Sequence, residues 1–146
     1  MDTQLRAVVV DLQKAEERLH SLRSTLPREA WTHRPGDRRW SPAECVAHLN
    51  LTSEAVLPLL RAGLTEARCR VRHVPTCHRR DPVGWMLWMA TAPWCRVKTR
   101  TVPALMPPGE RPLAALVADF AALQADVIEC VEGRRVEAND ARTCLA

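Results

Sequence analysis

The chain has 146 residues and a formal net charge of +4, and 47% of its residues are hydrophobic. This length predicts one compact domain, and the composition excludes a wholly disordered or collagen-like chain, since those classes have extreme glycine, proline or charge contents. The small positive charge does not by itself predict a nucleic-acid partner.

The first segment carries apolar residues at alternating spacings of three and four, which predicts a helix of an antiparallel bundle. These residues are Leu5, Val8, Leu12, Ala15, Leu19, Leu22 and Leu26. Pro27 is expected to end the helix, because its ring clashes with the preceding turn and it has no backbone N–H to donate.

The second helix is expected to begin at Ser41. Ser41 can cap the free backbone amides, Pro42 suits the first helical position, and Glu44 completes a capping box. Trp40 precedes the cap, where we expect its ring to pack against Cys45.

One apolar stripe of the second helix is predicted to be buried. It consists of Leu49, Val56, Leu60 and Leu64, with Val46 and Leu57 beside it. The pattern continues past Pro58 to about Arg68, so this proline is expected to kink the helix without ending it.

Residues 69–110 are the least regular part of the chain and contain six prolines. A short apolar helix is expected over Pro82–Ala90, and Val97–Thr101 is expected to be extended. The short helix should pack onto the bundle, because an exposed apolar patch of that size is unusual on a soluble monomer. Its large apolar residues are Trp85, Met86, Leu87, Trp88 and Met89.

A third long helix is predicted from about Arg111 to its end at Gly133. Its apolar stripe is Leu113, Leu116, Phe120, Leu123, Val127 and Cys130. Three long amphipathic helices without a strand-rich region predict an all-α bundle over residues 1–133. Residues 134–146 lack apolar periodicity and are expected to form a C-terminal tail.

Six cysteines are present, but Cys45 lies inside a helical pattern and no signal peptide is visible. We therefore expect reduced thiols and a cytoplasmic location. The longest apolar stretch, Val83–Trp94, is too short to span a bilayer, so no membrane association is expected.

Five arginines lie close together with no acidic residue among them: Arg68, Arg70, Arg72, Arg79 and Arg80. Such a run can bind phosphate or anionic lipid. No aromatic residue lies between them to stack on bases, so a solvated loop is preferred, polyanion binding stays open and nucleic acid is not expected.

A second cluster in the same stretch has side chains that zinc accepts: Cys69, His73, Cys77 and His78. Cys77 and His78 are adjacent, which makes tetrahedral ligation by both awkward. An ordinary loop is therefore preferred, and a zinc site stays open.

His48 is the main candidate for chemistry. It lies one turn after Glu44 on the second helix, beside the apolar stripe, so its imidazole is expected to face the flank of the bundle or a cavity. A lone histidine in such a place is more often structural than a metal ligand.

Two runs carry a family resemblance: Trp31-x-x-Arg34-Pro35 and Arg39-Trp40-Ser41-Pro42-Ala43-Glu44-Cys45-Val46-Ala47-His48-Leu49-Asn50. They resemble the DinB-like (DinB and YfiT-type) family, whose members show a tryptophan, a capping serine or threonine, a glutamate and then a histidine-leucine pair. The resemblance implies an up-down four-helix bundle with one divalent metal, nickel or zinc, held by three histidines.

Within this resemblance, His48 matches the metal ligand on the second helix. The other two ligands, a pair one turn apart on the last helix, have no counterpart, because no histidine follows His78. We therefore expect the fourth long helix to be missing or incomplete, and the reading frame to be truncated before it.

The resemblance implies a metal-dependent hydrolase or thiol-dependent transferase, here with an incomplete metal site and an unnamed small-molecule substrate. The alternative is a non-catalytic helical interaction module that dimerises through the groove left by the missing helix. A homo-oligomer is therefore the expected assembly.

Overall fold

The computed structural model describes residues 3–36, 39–70, 82, 85–86, 89, 101–107, 109 and 111–133, with backbone alone at 67–70. Its elements are α1 (Thr3–Thr25), α2 (Arg28–Thr32), α3 (Pro42–Arg70), a 3₁₀ turn (Pro103–Leu105) and α4 (Leu113–Glu132). These described residues contain helices and no strand, which confirms the predicted all-α helical bundle.

The start of α3 has the predicted capping box. The Ser41 backbone N–H donates to Glu44 Oε2 at 2.8 Å, and the Glu44 backbone N–H donates to Ser41 Oγ at 3.3 Å. Pro42 is the first helical residue, and the helix continues through Pro58, as predicted. The cap is set by four consecutive residues, so it is readable without knowledge of the rest of the fold.

Helix α4 ends as predicted at Gly133, which adopts φ 83°. Its N–H is directed at the carbonyls of Cys130 and Glu129, which satisfies acceptors that the end of a helix leaves open. This left-handed conformation favours glycine, because a side chain there would clash with the backbone.

Two short elements were not predicted: α2 and the 3₁₀ turn. Each has a proline at its start, Pro27 before α2 and Pro103 as the first residue of the turn. The fixed φ of proline suits the beginning of a helix. Elements of five and three residues are too short for an apolar period to show.

One cluster of buried core residues lies at one end of the bundle, where Leu19 of α1, Val46 of α3 and Leu116 of α4 meet. Its other buried members are Trp31, Ala47, Val117 and Phe120. Leu19 lies late in α1, whereas Val46 and Leu116 lie early in α3 and α4. The C-terminal end of α1 therefore lies at the end of the bundle where α3 and α4 begin, and α1 packs mainly against α4.

Helices α3 and α4 run in the same direction. Asn50 Nδ2 donates to the carbonyl of Leu116 at 2.9 Å, and Arg61 Nη2 lies 3.1 Å from Asp126 Oδ2. In these two contacts, the later residue of α3 meets the later residue of α4, so the residue numbers increase in the same direction along both helices. The end of α3 and the beginning of α4 therefore lie at opposite ends of the bundle, a relation that apolar periodicity does not reveal.

The predicted buried stripe of α3 was wrong in orientation. Leu49 and Val56 are 48% and 50% exposed, whereas Ala47 and Asn50 are buried. The prediction for the two residues beside the stripe is confirmed, since Val46 and Leu57 are buried. Leu60 and Leu64, which belong to the stripe, are half-buried. Apolar residues occur on several faces of α3, so periodicity alone does not select the face that α2 and α4 cover.

The seam predicted for α1 is only partly buried. Leu19 is buried as expected, and so is Val9, which lies off the predicted seam. Four predicted seam leucines and valines are exposed: Leu5, Val8, Leu22 and Leu26. The bounds of α1 were thus predicted better than its buried face.

The predicted short apolar helix agrees with the residues that are described, since Pro82, Trp85, Met86 and Met89 are helical. The prediction that it packs onto the bundle is not supported at these positions, because Trp85, Met86 and Met89 are exposed.

The remaining residues of Pro82–Ala90, most of Val97–Thr101 and the predicted tail 134–146 lie outside the described residues.

Within the described part of the chain, no helix combines the length and apolar character that crossing a bilayer requires.

Candidate functional site

His48 is half-buried on α3, and its ring is held by a residue far away in sequence. Its Nδ1 lies 2.9 Å from the carbonyl oxygen of Leu105, at the end of the 3₁₀ turn. A carbonyl only accepts hydrogen bonds, so Nδ1 carries the proton in the neutral ring. The lone pair of Nε2 is then available to a metal or a ligand.

Trp40 packs against this imidazole, with the two ring centroids 4.9 Å apart and the planes tilted by 57°. The expected packing of Trp40 against Cys45 stays a prediction, since the exposure of Cys45 does not test it. The backbone carbonyl of His48 accepts a hydrogen bond from Thr52 Oγ1 at 2.8 Å. The indole and the Leu105 carbonyl together restrict the orientation of the ring.

Glu44 lies one turn before His48, and its carboxylate is engaged by other groups. Arg34 Nε donates to Glu44 Oε2 at 2.9 Å, and Arg34 Nη2 donates to Glu44 Oε1. These bonds, together with the one from the Ser41 N–H, lower the pKa of Glu44 from 4.5 to about 2. Glu44 therefore remains a carboxylate near neutral pH and serves the cap and the ion pair.

A cavity of about 630 Å³ lies at the same end of the bundle. It is lined by α2, the first turns of α3 and α4, and residues before α4, including Trp31, Arg28 and Arg111. Its size is that of a small-molecule pocket. Because Ala47 and Glu44 line it, the cavity lies beside His48 on α3 without His48 being part of its wall.

The donor set around His48 does not fit the metal centre that the resemblance implies. Within the described ranges, no group of three or more histidine, cysteine, aspartate or glutamate side chains is placed to hold a metal. An open metal site of the hydrolytic type needs three protein ligands. The described residues therefore bring His48 to this position without completing such a three-ligand set.

The alternative metal and polyanion candidates are not placed by the structure. His73, Cys77, His78 and the side chain of Cys69 lie outside the described residues, as do the side chains of the arginine cluster at residues 68–80. Both interpretations therefore stay predictions from the sequence.

Sequence reasoning missed the residues around the cavity and the partner of His48. Leu105 offers only a backbone carbonyl, which no residue pattern distinguishes from any other. Arg28, Trp31 and Arg111 come from three separate segments. The tryptophan and arginine of the Trp31-x-x-Arg34 run were a signal of family resemblance, and no signal indicated that they line a cavity.

Comparison with known proteins agrees with the resemblance found in the sequence. Residues 11–143 match the DinB superfamily, a range that includes His48, the helices α2–α4 and most of the predicted tail. No curated protein matches the chain, and no solved structure matches it. With the match covering well over half of the residues, the chain belongs to the DinB superfamily.

Proposed function

We propose that the site of this chain is arranged like that of a metal-dependent hydrolase or thiol-dependent transferase, with His48 as the imidazole that faces the metal. The observation that supports this is the 2.9 Å hydrogen bond between His48 Nδ1 and the Leu105 carbonyl. Histidines that ligate metals commonly donate their other ring N–H to a carbonyl or carboxylate, which orients the ring. His48 has this arrangement, with Nε2 left for the ligand.

The proposal includes an incomplete centre, because the described residues contain no group of three or more side chains placed to hold a metal. A divalent metal such as nickel or zinc in an open site supplies activation of a bound water or thiol. The residues described here contribute the orientation of one ligand: Leu105 fixes the tautomer of His48 and Trp40 restricts its ring.

This proposal predicts weak metal binding that depends on His48. Titration of the metal-free protein with Ni²⁺ is expected to broaden the NMR signals of His48 and of its neighbours Trp40 and Leu105, with the metal lost again on dialysis. The His48→Ala variant should lose the broadening at Trp40 and Leu105. The matched control is His33→Ala, which removes an exposed histidine and should leave that broadening unchanged.

Two results would contradict this proposal in different ways. Broadening of Trp40 and Leu105 that persists in His48→Ala would show that His48 is not the ligand. One equivalent of nickel or zinc retained through dialysis in the wild type would show that the centre is complete and that ligands from elsewhere close it.

A second candidate function is self-association of a non-catalytic helical module. The observation in its favour is the outer strip of α3, formed by Leu49, Val56 and Leu59, whose side chains are all exposed in the single chain. These residues recur on one side of the helix, and apolar strips of this kind are typical of protein interfaces.

Sedimentation velocity over a range of concentrations tests this second candidate. A dimer is expected that dissociates in the Leu59→Glu variant, because a carboxylate would be buried without a partner in the interface. The matched control Gln13→Glu adds the same charge at an exposed position of α1 and should not change the dimer. A monomer at every concentration would rule out this function.

A further inference from the structure

Cys45 and His48 bring two side chains that bind metals to the first turns of α3. Cys45 is a free cysteine with an exposed side chain, and His48 is half-buried three residues later. Residues three apart on a helix lie on one face, with Cβ atoms about 5–6 Å apart. A metal bound to sulfur at about 2.3 Å and to an imidazole nitrogen at about 2.0 Å spans such a gap. Helix-bundle metalloproteins use ligand pairs at the same spacing on one helix.

The contact between Trp40 and His48 places the imidazole beside the first turn of α3. Trp40 lies immediately before the Ser41 cap, and its ring centroid is 4.9 Å from that of His48. The imidazole therefore leans from its own turn towards the start of the helix, as helical side chains generally do. Cys45 lies in that first turn, where its backbone N–H donates to the Ser41 carbonyl at 3.0 Å. The thiol and the imidazole thus share one end of the helix.

The other potential ligand in this turn, Glu44, is already engaged, because its carboxylate accepts from two nitrogens of Arg34. His48 Nδ1 is engaged as well, since it lies 2.9 Å from the Leu105 carbonyl oxygen. His48 Nε2 therefore keeps its lone pair. Among the described side chains of these two turns, the Cys45 sulfur and His48 Nε2 are the ligand atoms that remain.

Cys45 carries its proton near neutral pH in the metal-free protein. The residue as a whole is exposed, but partial burial of the thiol and the charge of the Glu44 carboxylate raise its pKa. Coordination to a metal deprotonates a thiol outright. A bound metal therefore replaces the thiol proton, which passes to solvent, and neither the sulfur nor the metal changes its oxidation state.

The number and type of these ligands favour a soft ion. An open zinc or nickel site needs three protein ligands, and the described residues do not assemble such a group. Thiolate ligands select soft ions such as Cu⁺, which two donors can satisfy. We propose that Cys45 Sγ and His48 Nε2 bind Cu⁺ as a two-ligand site at the start of α3. This site rests on the metal-facing role proposed for His48, and it adds the second ligand and the ion.

Anaerobic titration of the full chain with Cu⁺, kept reduced by ascorbate and buffered by the chelator bicinchoninate, tests this site. The chain has six cysteines, so total copper binding does not report on one site, and the indole N–H signal of Trp40 is followed by NMR instead. This signal is identified by its absence in Trp40→Phe. Cu⁺ is diamagnetic, so we expect a saturable shift of the signal without broadening. In Cys45→Ser, the free Cu⁺ concentration at half-saturation should rise at least ten-fold, because a hydroxyl is a poor ligand for a soft ion.

Two controls accompany the Cys45→Ser variant. Cys77→Ser removes a thiol from the other candidate metal cluster, at residues 69–78, and should leave the Trp40 shift unchanged. Ni²⁺ should still broaden the Trp40 signal in Cys45→Ser, because His48 is intact there. This second control shows that the variant is folded at this end of α3 and separates the Cu⁺ site from the function proposed above.

Three results would overturn the Cu⁺ site. They are no saturable shift of Trp40, the same half-saturation in Cys45→Ser as in the wild type, and loss of the shift in Cys77→Ser. If Ni²⁺ still broadens the Trp40 signal through His48 in any of these cases, only the Cu⁺ site fails and the proposed role of His48 stands. Absence of both the Cu⁺ shift and the Ni²⁺ broadening would refute the two proposals together.

Discussion

Replacing Leu116 with alanine is expected to lower the free energy of unfolding by about 3 kcal/mol. Leu116 is 2% exposed and lies where α1, α3 and α4 meet. The substitution removes buried apolar surface and leaves a void, and both losses add. Urea denaturation followed by far-UV circular dichroism measures the change. An unaltered m value, the slope of the free energy of unfolding against urea concentration, would show that the unfolded state is the same.

Leu59→Ala is the matched control for Leu116→Ala. It makes the same chemical change on α3, but Leu59 is 72% exposed, so the expected change is within about 0.5 kcal/mol. The comparison is made at protein concentrations low enough for the chain to be monomeric. Equal losses in the two variants would mean that the buried face of the bundle is not the one described here.

Glu44→Gln is expected to lower the free energy of unfolding by about 1–2 kcal/mol at neutral pH. The change removes the charge that pairs with Arg34 and accepts from the Ser41 N–H. The pKa shift alone would allow about 3 kcal/mol, since it spans 4.5 to about 2. We expect less, because the side chain of Arg34 is 57% exposed and solvent screens the pair.

The effect of Glu44→Gln should depend on pH with a definite sign. The folded state holds the pKa of Glu44 below its value in the unfolded chain, so the carboxylate stabilises the fold above about pH 4.5. This contribution is lost as the pH falls from 4.5 towards 2. The stability difference between wild type and variant should therefore shrink over that range.

Glu54→Gln is the control for this pH dependence, because Glu54 is an exposed glutamate on the same helix. It should show a stability close to that of the wild type at every pH. A constant difference between wild type and Glu44→Gln from neutral pH down to pH 2 would show that the carboxylate charge is not what stabilises this end of the fold.

The bounds of the long helices and the cap of α3 were predictable because they depend on neighbours in sequence. Ser41, Pro42 and Glu44 form the cap within a single turn. Pro27 follows α1 and Gly133 ends α4 for equally local reasons. His48 was singled out in the same way, from its place one turn after the cap and from the resemblance that this run carries.

The buried faces were less predictable, since they depend on where other helices lie. Leu49 and Val56 satisfy the helical period as well as Val46 and Leu57 do, yet the first two are exposed and the last two are buried. A period of this kind reports that one face is apolar. It does not indicate which of two apolar faces packs against α2 and α4.

The helical class, the bounds of the long helices, the capping box and the family follow from short-range patterns and from the match over residues 11–143. The parallel course of α3 and α4, the Leu105 carbonyl that orients His48, and the cavity that Arg28 and Trp31 line arise from tertiary contacts. Those features join residues from separate segments, such as His48 and Leu105, which lie 57 residues apart. Contacts over such distances depend on how the helices pack, and a local sequence pattern does not reveal that packing.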